Sequence, residues 1–315
     1  YDCTAFVGGI MRNFESNFVW GQNKVMVVEA DEYDRSFLQL HPDVAIITAT
    51  DADHLDIYDT HEGVKAGFNT FASQVKEKLI LQKRTEIVGQ TADKIITYAL
   101  QAEQKQVTST IQNLEVLDGA YRFDWQSPQG LVKNCTLNVG GKHNIENAIA
   151  AMTIAQYLGI ETEAIKVALA AFKGIKRRFE YVVKRTDLVI IDDYAHHPEE
   201  VRVLLESVRE LYPSKKITAV FQPHLYTRTR DFATGFAETL SLADEVVVLD
   251  IYPARELPIK GIDAELILRQ MNLEQKYNFN LTNVISWLRE KKLEILVLIG
   301  AGSIGTLAPK LKEIY

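Results

Sequence analysis

Residues 188–250 read LVIIDDYAHHPEEVRVLLESVRELYPSKKITAVFQPHLYTRTRDFATGFAETLSLADEVVVLD. Short apolar runs rich in Val and Ile alternate here with segments in which apolar residues recur at helical spacing, which predicts strands separated by helices. That alternation is typical of a parallel sheet covered by helices. The predicted strands are 188–191, 217–221 and 245–250, and the predicted helices are 199–211 and 231–242.

The same alternation continues beyond residue 250, with predicted helices around 264–271 and 282–291 and a strand at 294–299. The strand is followed by GAGSIG (300–305), which has the GxGxxG spacing of dinucleotide-binding folds. Those folds place an acidic ribose-binding residue about 20 residues further on, and no such residue follows here. We therefore interpret GAGSIG as a tight turn from strand to helix, whose helix N-terminus can still face an anion.

The first half of the chain contains two apolar runs that end in acidic stretches. KVMVVE (24–29) leads into ADEYD, and VAIITAT (44–50) leads into DADHLD. Both runs are predicted to be buried strands, and a helix is predicted from 62 to 75. Because ligands bind at the carboxyl ends of strands in open α/β sheets, the repeated acidic ends are the first indication of a site.

Residues 107–139 have a different pattern, in which polar and apolar residues alternate and Asp118-Gly119 and SPQG (127–130) interrupt the runs. This pattern predicts hairpins that form an antiparallel patch. Two helices are predicted after it, at 144–158 and 163–172, with Thr162 as the cap of the second. The basic segment KGIKRR (173–178) then separates the two halves, and we expect domains at 1–176 and 177–315.

Length and composition limit the class of protein. A chain of 315 residues with 47% apolar and 24% charged residues is expected to fold as two domains. The net charge of −7 argues against nucleic acid as a partner. No apolar run is long enough to span a bilayer, and two distant cysteines, Cys3 and Cys135, suit a reducing cytoplasm. The sequence leaves the oligomeric state open.

The acidic stretches of the first half contain candidate metal ligands. Carboxylates at neighbouring strand ends converge on one crevice, and divalent cations prefer oxygen ligands. The alternative is an acidic, solvated loop, and spacing alone does not decide between the two. A histidine ligand by itself favours Mn or Zn over Mg, so the identity of the metal stays open at this stage. The candidates are Glu29, Asp31, Asp53, His54 and Asp56.

Two polar segments follow strands of the second half. DDYAHHP (192–198) precedes a helix in which Pro198 suits the first position, so its acids and histidines either cap the helix or bind a substrate or metal. QPHLYTRTR (222–230) follows the next strand and is predicted to be a loop carrying Arg228 and Arg230. Paired guanidinium groups at a sheet edge suit the recognition of a carboxylate or phosphate.

Seven motifs in this order resemble the Mur ligases over essentially the whole chain. The motifs are EADEYDRSF (29–37), TDADHLDIY (50–58), KHNIENAIAA (142–151), GIKRRFE (174–180), DDYAHHPEEV (192–201), FQPHLYTRTRD (221–231) and DIYPARELPIKG (250–261). The resemblance implies an α/β protein with a central ATPase-type parallel sheet domain that carries an antiparallel patch, followed by a Rossmann-like C-terminal domain. It also implies that the family's N-terminal UDP-binding domain and its glycine-rich ATP loop have no counterpart here, so we expect this chain alone to be inactive.

The resemblance assigns roles to individual residues. Glu29 and His54 match the metal-binding positions of the family, where the metal is normally Mg. Asn144 and Asn147, three apart on one helix face, match residues near the nucleotide. Arg178 matches the arginine that reaches the ATP phosphates, and Asp193 matches the acid of the nucleotide site. The positions associated with the amino acid and the acyl substrate are matched by His197, Arg228 and Arg230. Arg178, Asp193 and His197 are the predicted catalytic residues.

The implied reaction is the ATP-dependent joining of L-alanine to the lactyl carboxylate of UDP-N-acetylmuramate through an acyl phosphate, a step of peptidoglycan precursor synthesis. YTRTRD and YPARELPI favour this activity over that of a family member that attaches a whole tripeptide to the same nucleotide sugar. Two other classes remain as alternatives: a nucleotide-binding dehydrogenase, for which GAGSIG is at the wrong end of its unit, and a noncatalytic binding module.

Overall fold

A computed structural model describes residues 1–50, 58, 60–101 and 107–315. The chain divides into two compact units. The first unit contains Tyr1–Ile10, Phe14–Asn138 and Lys142–Phe172, and the second contains Met11–Asn13, Val139–Gly141 and Lys173–Tyr315. No helix in the described ranges is long and apolar enough to cross a membrane.

The strands of the first unit are β1 Thr4–Met11, β2 Ser16–Val19, β3 Met26–Val28, β4 Val44–Ile47, β5 Lys78–Gln82, β6 Ile95–Tyr98, β7 Thr110–Leu117, β8 Ala120–Ser127 and β9 Gly130–Leu137. Its α-helices are α1 His61–Gln74, α2 Lys142–Tyr157 and α3 Thr162–Ala171. In the described residues these strands form three three-stranded sheets. One has the order β2-β1-β3, with β1 and β3 parallel, and another has the parallel order β4-β5-β6. The third is the antiparallel sheet β7-β8-β9.

The predicted antiparallel patch is confirmed, but the prediction that β3 and β4 are neighbours is wrong. β3, predicted to be buried, is exposed at all three of its residues, so that prediction is wrong. It pairs with β1, which the sequence analysis did not predict as a strand, and β4 pairs with β5. The two acidic stretches therefore follow strands of different sheets. Thr162 is also not the cap of α3, because Glu161 occupies that position and makes no side-chain capping bond.

The elements of the second unit are β10 Glu180–Lys184, β11 Val189–Asp193, α4 Pro198–Leu211, β12 Ile217–Phe221, α5 Tyr226–Leu240, β13 Glu245–Leu249, α6 Glu265–Leu268, β14 Lys276–Phe279, α7 Leu281–Arg289, β15 Ile295–Ile299 and α8 Leu307–Ile314. The strands form one six-stranded sheet with the order β10-β11-β15-β12-β13-β14. Only β10 is antiparallel to its neighbour, so the predicted parallel sheet is confirmed.

The sheet of the second unit is buried on both faces, because helices cover each side of a parallel sheet. Every residue of β12, β13 and β15 is buried. Leu298, Val220 and Val247 from three of these strands join one core cluster with Leu288 of α7 and Leu311 of α8. Burial of this kind contributes roughly 2 kcal/mol for each large aliphatic side chain, so the carboxyl ends of β11, β12 and β15 rest on a rigid base.

Candidate functional site

The carboxyl end of β11 carries Asp193, whose side chain is held by the backbone. Its Oδ2 accepts the N–H of Phe179 at 2.7 Å and its Oδ1 accepts the N–H of Ala195 at 2.8 Å. Burial raises the pKa of the Asp193 carboxyl, and the two N–H donors oppose that rise. Asp193 therefore ties the loop after β11 to the segment that enters β10, beside the predicted catalytic Arg178.

Arg178 is exposed in the turn that precedes β10. Its guanidinium carbon lies 5.7 Å from the centre of the Tyr194 ring, a distance at which a cation and an aromatic face attract each other. The side chain is thus next to the Asp193 loop, with its charge available to a ligand at the surface of this unit.

His197 caps the helix that follows β11. Its Nδ1 accepts the N–H of Glu199 at 3.5 Å, and Glu200 completes the capping box by accepting backbone N–H groups of His197 and His196. Pro198 occupies the first helical position as predicted. The geometry of His197 is that of the cap-and-packing alternative considered for this segment.

Arg228 and Arg230 lie on the first turns of α5, so the prediction that they belong to a loop is wrong. The helix begins at Tyr226 because Glu256, thirty residues away, accepts the N–H and the hydroxyl of Thr227. These bonds also lower the pKa of Glu256. A carboxylate at a helix N-terminus satisfies otherwise unpaired N–H groups, and here the DIYPAREL segment supplies it.

The two arginines of α5 have different surroundings. Arg230 is exposed and pairs with the adjacent Asp231, with 2.7 Å between Nε and Oδ1. Arg228 is half-buried, and its Nη1 is enclosed without a hydrogen-bond partner among the described residues. An enclosed guanidinium nitrogen without a partner is costly unless an acceptor occupies the space beside it. Arg228 is therefore the stronger candidate for binding a carboxylate.

A histidine that the sequence analysis missed lies beside Arg228. The His224 ring stacks on Tyr252 at 5.6 Å and lies 6.2 Å from the ring of His196. Burial, followed by the charges of Arg228 and His196, lowers the pKa of His224, so its ring is neutral at pH 7. Its Nδ1 also has no partner in the described structure. A carboxylate or an amine near Arg228 would find a neutral imidazole here.

The GAGSIG turn is packed against the end of β12. A Cβ on Gly302 would lie 2.5 Å from Oε1 of Gln222 and 2.7 Å from the Cβ of Tyr252, and one on Gly300 would lie 2.7 Å from the Gln222 carbonyl oxygen. Oε1 of Gln222 also accepts the N–H of Ile304 at 2.8 Å. The glycines thus allow close packing within the protein, in agreement with the interpretation of this motif as a tight turn.

The candidates of the first unit are divided between its elements. The exposed Glu29 follows β3, and its Oε2 accepts the N–H of Gly8 at 2.6 Å. Asn144 and Asn147 lie on the first two turns of α2, on one helix face as predicted. His54, Asp53 and Asp56 lie outside the described residues. Within the described ranges, no three His, Cys, Asp or Glu side chains form a group that could hold a metal ion.

Comparison with known proteins identifies both units. Residues 15–155 match the family described as Mur ligase middle domain, and residues 177–302 match the one described as Mur ligase, glutamate ligase domain. UDP-N-acetylmuramate–L-alanine ligase of Flavobacterium johnsoniae is 46% identical over 314 residues, which are 99% of this chain and 68% of that protein. The corresponding ligase of Flavobacterium psychrophilum is 43% identical over 312 residues, 99% of this chain and 68% of the relative.

Solved structures give the same result. The crystal structure of UDP-N-acetylmuramate-alanine ligase MurC from Thermotoga maritima superposes with a TM-score of 0.81 at 25% identity, covering 99% of this chain and 68% of that one. A murein peptide ligase from Psychrobacter arcticus shares the fold with a TM-score of 0.57 at 18% identity, covering 99% and 71%. The chain belongs to the Mur ligases, a family of ATP-dependent ligases.

Proposed function

We propose that this chain provides the middle and C-terminal domains, residues 1–176 and 177–315, of a cytoplasmic ligase that joins L-alanine to the lactyl carboxylate of UDP-N-acetylmuramate. The proposal is supported by the relative from Flavobacterium johnsoniae, which has that name and is 46% identical over nearly the whole chain. The structural observation that carries it is the enclosed Nη1 of Arg228, which has no hydrogen-bond partner among the described residues and lies beside His224.

In this reaction ATP converts the lactyl carboxylate to an acyl phosphate, the amine of L-alanine attacks the acyl carbon, and phosphate leaves. Arg228 suits the carboxylate of the incoming amino acid, because a guanidinium can donate two parallel hydrogen bonds to it. His197 and Arg230 are proposed to lie at the same substrate site. Their engagement in a helix cap and in an ion pair with Asp231 makes them weaker ligands than Arg228.

The nucleotide is proposed to contact Asn144, Asn147, Arg178 and Asp193. Arg178 is the exposed cation of the set, and we propose that it stabilises the negative charge that develops on the transferring phosphoryl group. Asp193 accepts backbone N–H groups of Phe179 and Ala195, so it also ties the turn that carries Arg178 to the loop that carries Tyr194.

Mg²⁺ is the proposed metal, with Glu29 and His54 as its ligands. The exposed Glu29 carboxylate supplies the oxygen donor that this cation prefers, and the N–H of Gly8 fixes one of its oxygens. When bound, Mg²⁺ supplies electrostatic stabilisation of the phosphate charge.

The test measures phosphate release that depends on ATP, L-alanine and UDP-N-acetylmuramate together. Because the chain spans 68% of the Flavobacterium johnsoniae relative, the assay uses this chain and also that relative with its matching region replaced by this chain, called the exchange protein below. We expect activity in the exchange protein. Release with a tripeptide but not with L-alanine would replace the proposal by the murein-peptide ligase activity.

Arg228→Ala in the exchange protein tests the observation that carries the proposal. Loss of one charge-assisted contact should raise the KM for L-alanine or UDP-N-acetylmuramate roughly 30-fold and leave the KM for ATP nearly unchanged. Arg202→Gln is the matched control, since Arg202 pairs with Glu199 and Glu206 on the surface of α4. Equal increases in the KM for ATP and for L-alanine would contradict the assignment of Arg228.

A further inference from the structure

The turn that carries Arg178 has an unusual backbone. Arg177 has φ = 60° and Phe179 has φ = 47°, so left-handed residues that are not glycine flank Arg178 on both sides. The left-handed conformation is unfavourable for a residue with a Cβ, and it persists only where the surrounding structure holds it in place. The contacts that hold this turn therefore indicate how Arg178 is positioned.

The Arg177 side chain makes most of these contacts within the second unit. Its Nη2 donates a hydrogen bond to the Gly300 carbonyl oxygen, and its Nε lies 3.5 Å from Oδ2 of the buried Asp192. Its guanidinium carbon is 5.1 Å from the centre of the Tyr194 ring. The backbone N–H of Arg177 also donates to Oε2 of Glu180 at 2.9 Å. The guanidinium thus joins the ends of β11 and β15 to the turn.

The last glycine of GAGSIG provides the space for this guanidinium. A Cβ on Gly305 would lie 2.8 Å from both Cζ and Nε of Arg177, closer than non-bonded atoms can approach. The spacing that resembles a dinucleotide fingerprint therefore serves a different purpose here. Gly300 accepts a hydrogen bond from Arg177, and Gly305 leaves room for its planar end.

Both arginines approach the same aromatic ring. The guanidinium carbon of Arg177 is 5.1 Å from the Tyr194 ring centre and that of Arg178 is 5.7 Å from it. Arg177 is held by a carbonyl oxygen and a buried carboxylate, whereas Arg178 is exposed. The engaged cation fixes the position of the ring and of the turn, and the second cation is left for a ligand.

We propose that Arg177, seated against the GAGSIG turn, is a positioning residue that holds the strained turn 177–179 so that Arg178 meets the phosphoryl group. The proposal rests on the role assigned to Arg178 under the proposed function. An Arg178 that projects from a turn already fixed by Arg177 needs less reorganisation when charge develops on the substrate, and such preorganisation is a main source of electrostatic catalysis.

A double-mutant cycle in the exchange protein tests the proposal, with Arg177→Gln, Arg178→Ala and the combination of both. We expect each single variant to lower kcat at least about tenfold and to leave the KM for L-alanine within about twofold. If Arg177 acts through Arg178, the double variant should be no slower than the slower single variant, within about threefold. Arg177→Lys should recover part of kcat, because it restores the charge without the planar fork.

Two further variants separate positioning from loss of folding. Gly305→Ala displaces the guanidinium while keeping Arg177, and we expect it to lower kcat without adding to the effect of Arg178→Ala. Arg202→Gln serves again as the control on α4. Thermal unfolding of each variant measures the structural contribution independently of activity.

The outcomes are distinguishable. A double variant whose loss equals the product of the single losses, or an Arg177→Gln protein with unchanged kcat, would overturn the positioning role. An exchange protein that forms no product from L-alanine, ATP and UDP-N-acetylmuramate would instead overturn the proposed function.

Discussion

The carboxyl of Asp192 should make the second unit more stable in mild acid than at neutral pH. Its side chain is 2% exposed, Oδ1 has no hydrogen-bond partner among the described residues, and the nearest cation is Arg177, 3.5 Å away. Burial therefore outweighs the attraction of Arg177 and raises the pKa of Asp192 to about 6. Glu180 and Asp193 add to the rise.

The sign of the effect follows from proton binding. Between pH 3.8 and about 6 the folded protein binds more protons at Asp192 than the unfolded chain does, so the free energy of unfolding rises as the pH falls through this window. A pKa raised from 3.8 to about 6 lowers the free energy of unfolding by roughly 3 kcal/mol at pH 7, relative to the protein with Asp192 protonated. At pH 5 the loss is about half as large.

Asp192→Asn removes the charge and keeps the shape of the side chain. We expect this variant to be more stable than the parent by up to about 3 kcal/mol at pH 7, with the difference shrinking toward pH 4. Urea unfolding of both proteins, followed by circular dichroism from pH 4.5 to 7, measures the difference. Other titrating groups are common to both proteins, so their contributions cancel in the difference between the two free energies of unfolding.

Asp187→Asn is the matched control in the connection between β10 and β11. Asp187 is exposed, and hydrogen bonds from Arg185 hold its pKa below its ordinary value. Asp187→Asn should lower the free energy of unfolding slightly, by an amount that does not change between pH 4.5 and 7. A carboxyl with a lowered pKa changes its protonation only in stronger acid. A stability difference for Asp192→Asn that is equally flat would refute the account of this buried carboxyl.

Two further results are expected. Glu256→Ala removes the side chain that accepts the Thr227 N–H, so amide hydrogen exchange at Thr227 and Arg228 should accelerate at least about tenfold; unchanged exchange would show that α5 begins without this cap. Glu29→Gln in the exchange protein should raise the Mg²⁺ concentration needed for half-maximal turnover by at least about tenfold, and an unchanged requirement would remove Glu29 from the proposed metal site.

Sequence patterns located the elements whose signals are local. In the second unit the apolar runs at 217–221 and 245–250 became β12 and β13, and His197-Pro198 marks the start of α4 as expected for a cap and a first-position proline. These features depend on periodicity and on residues within one turn of the helix. These features can therefore be predicted from the sequence without knowledge of the fold.

Features that depend on residues far apart in the sequence could not be predicted in this way. The start of α5 was predicted five residues too late because the group that caps it, Glu256, is thirty positions away in sequence. The edge strand β14 (Lys276–Phe279) carries polar residues between its aromatic ones and resembled a connection. His224 was missed as a candidate because its lowered pKa comes from burial and from Arg228 and His196, which are brought together only by folding.

The GAGSIG turn shows why spacing of glycines alone does not identify a ligand. A glycine at such a turn indicates that another group lies closer to the backbone than a Cβ would permit. That group can be a phosphate or a part of the protein itself. Here Gln222, Tyr252 and Arg177 occupy the spaces beside the three glycines. The approaching groups come from the segment after β12, from the segment after β13 and from the turn before β10, so the motif joins three separate parts of one unit. A cation among them, held against Gly305, links this packing to the turn that presents Arg178, and substitution of Gly305 should therefore affect turnover without any change in nucleotide contacts at the glycines.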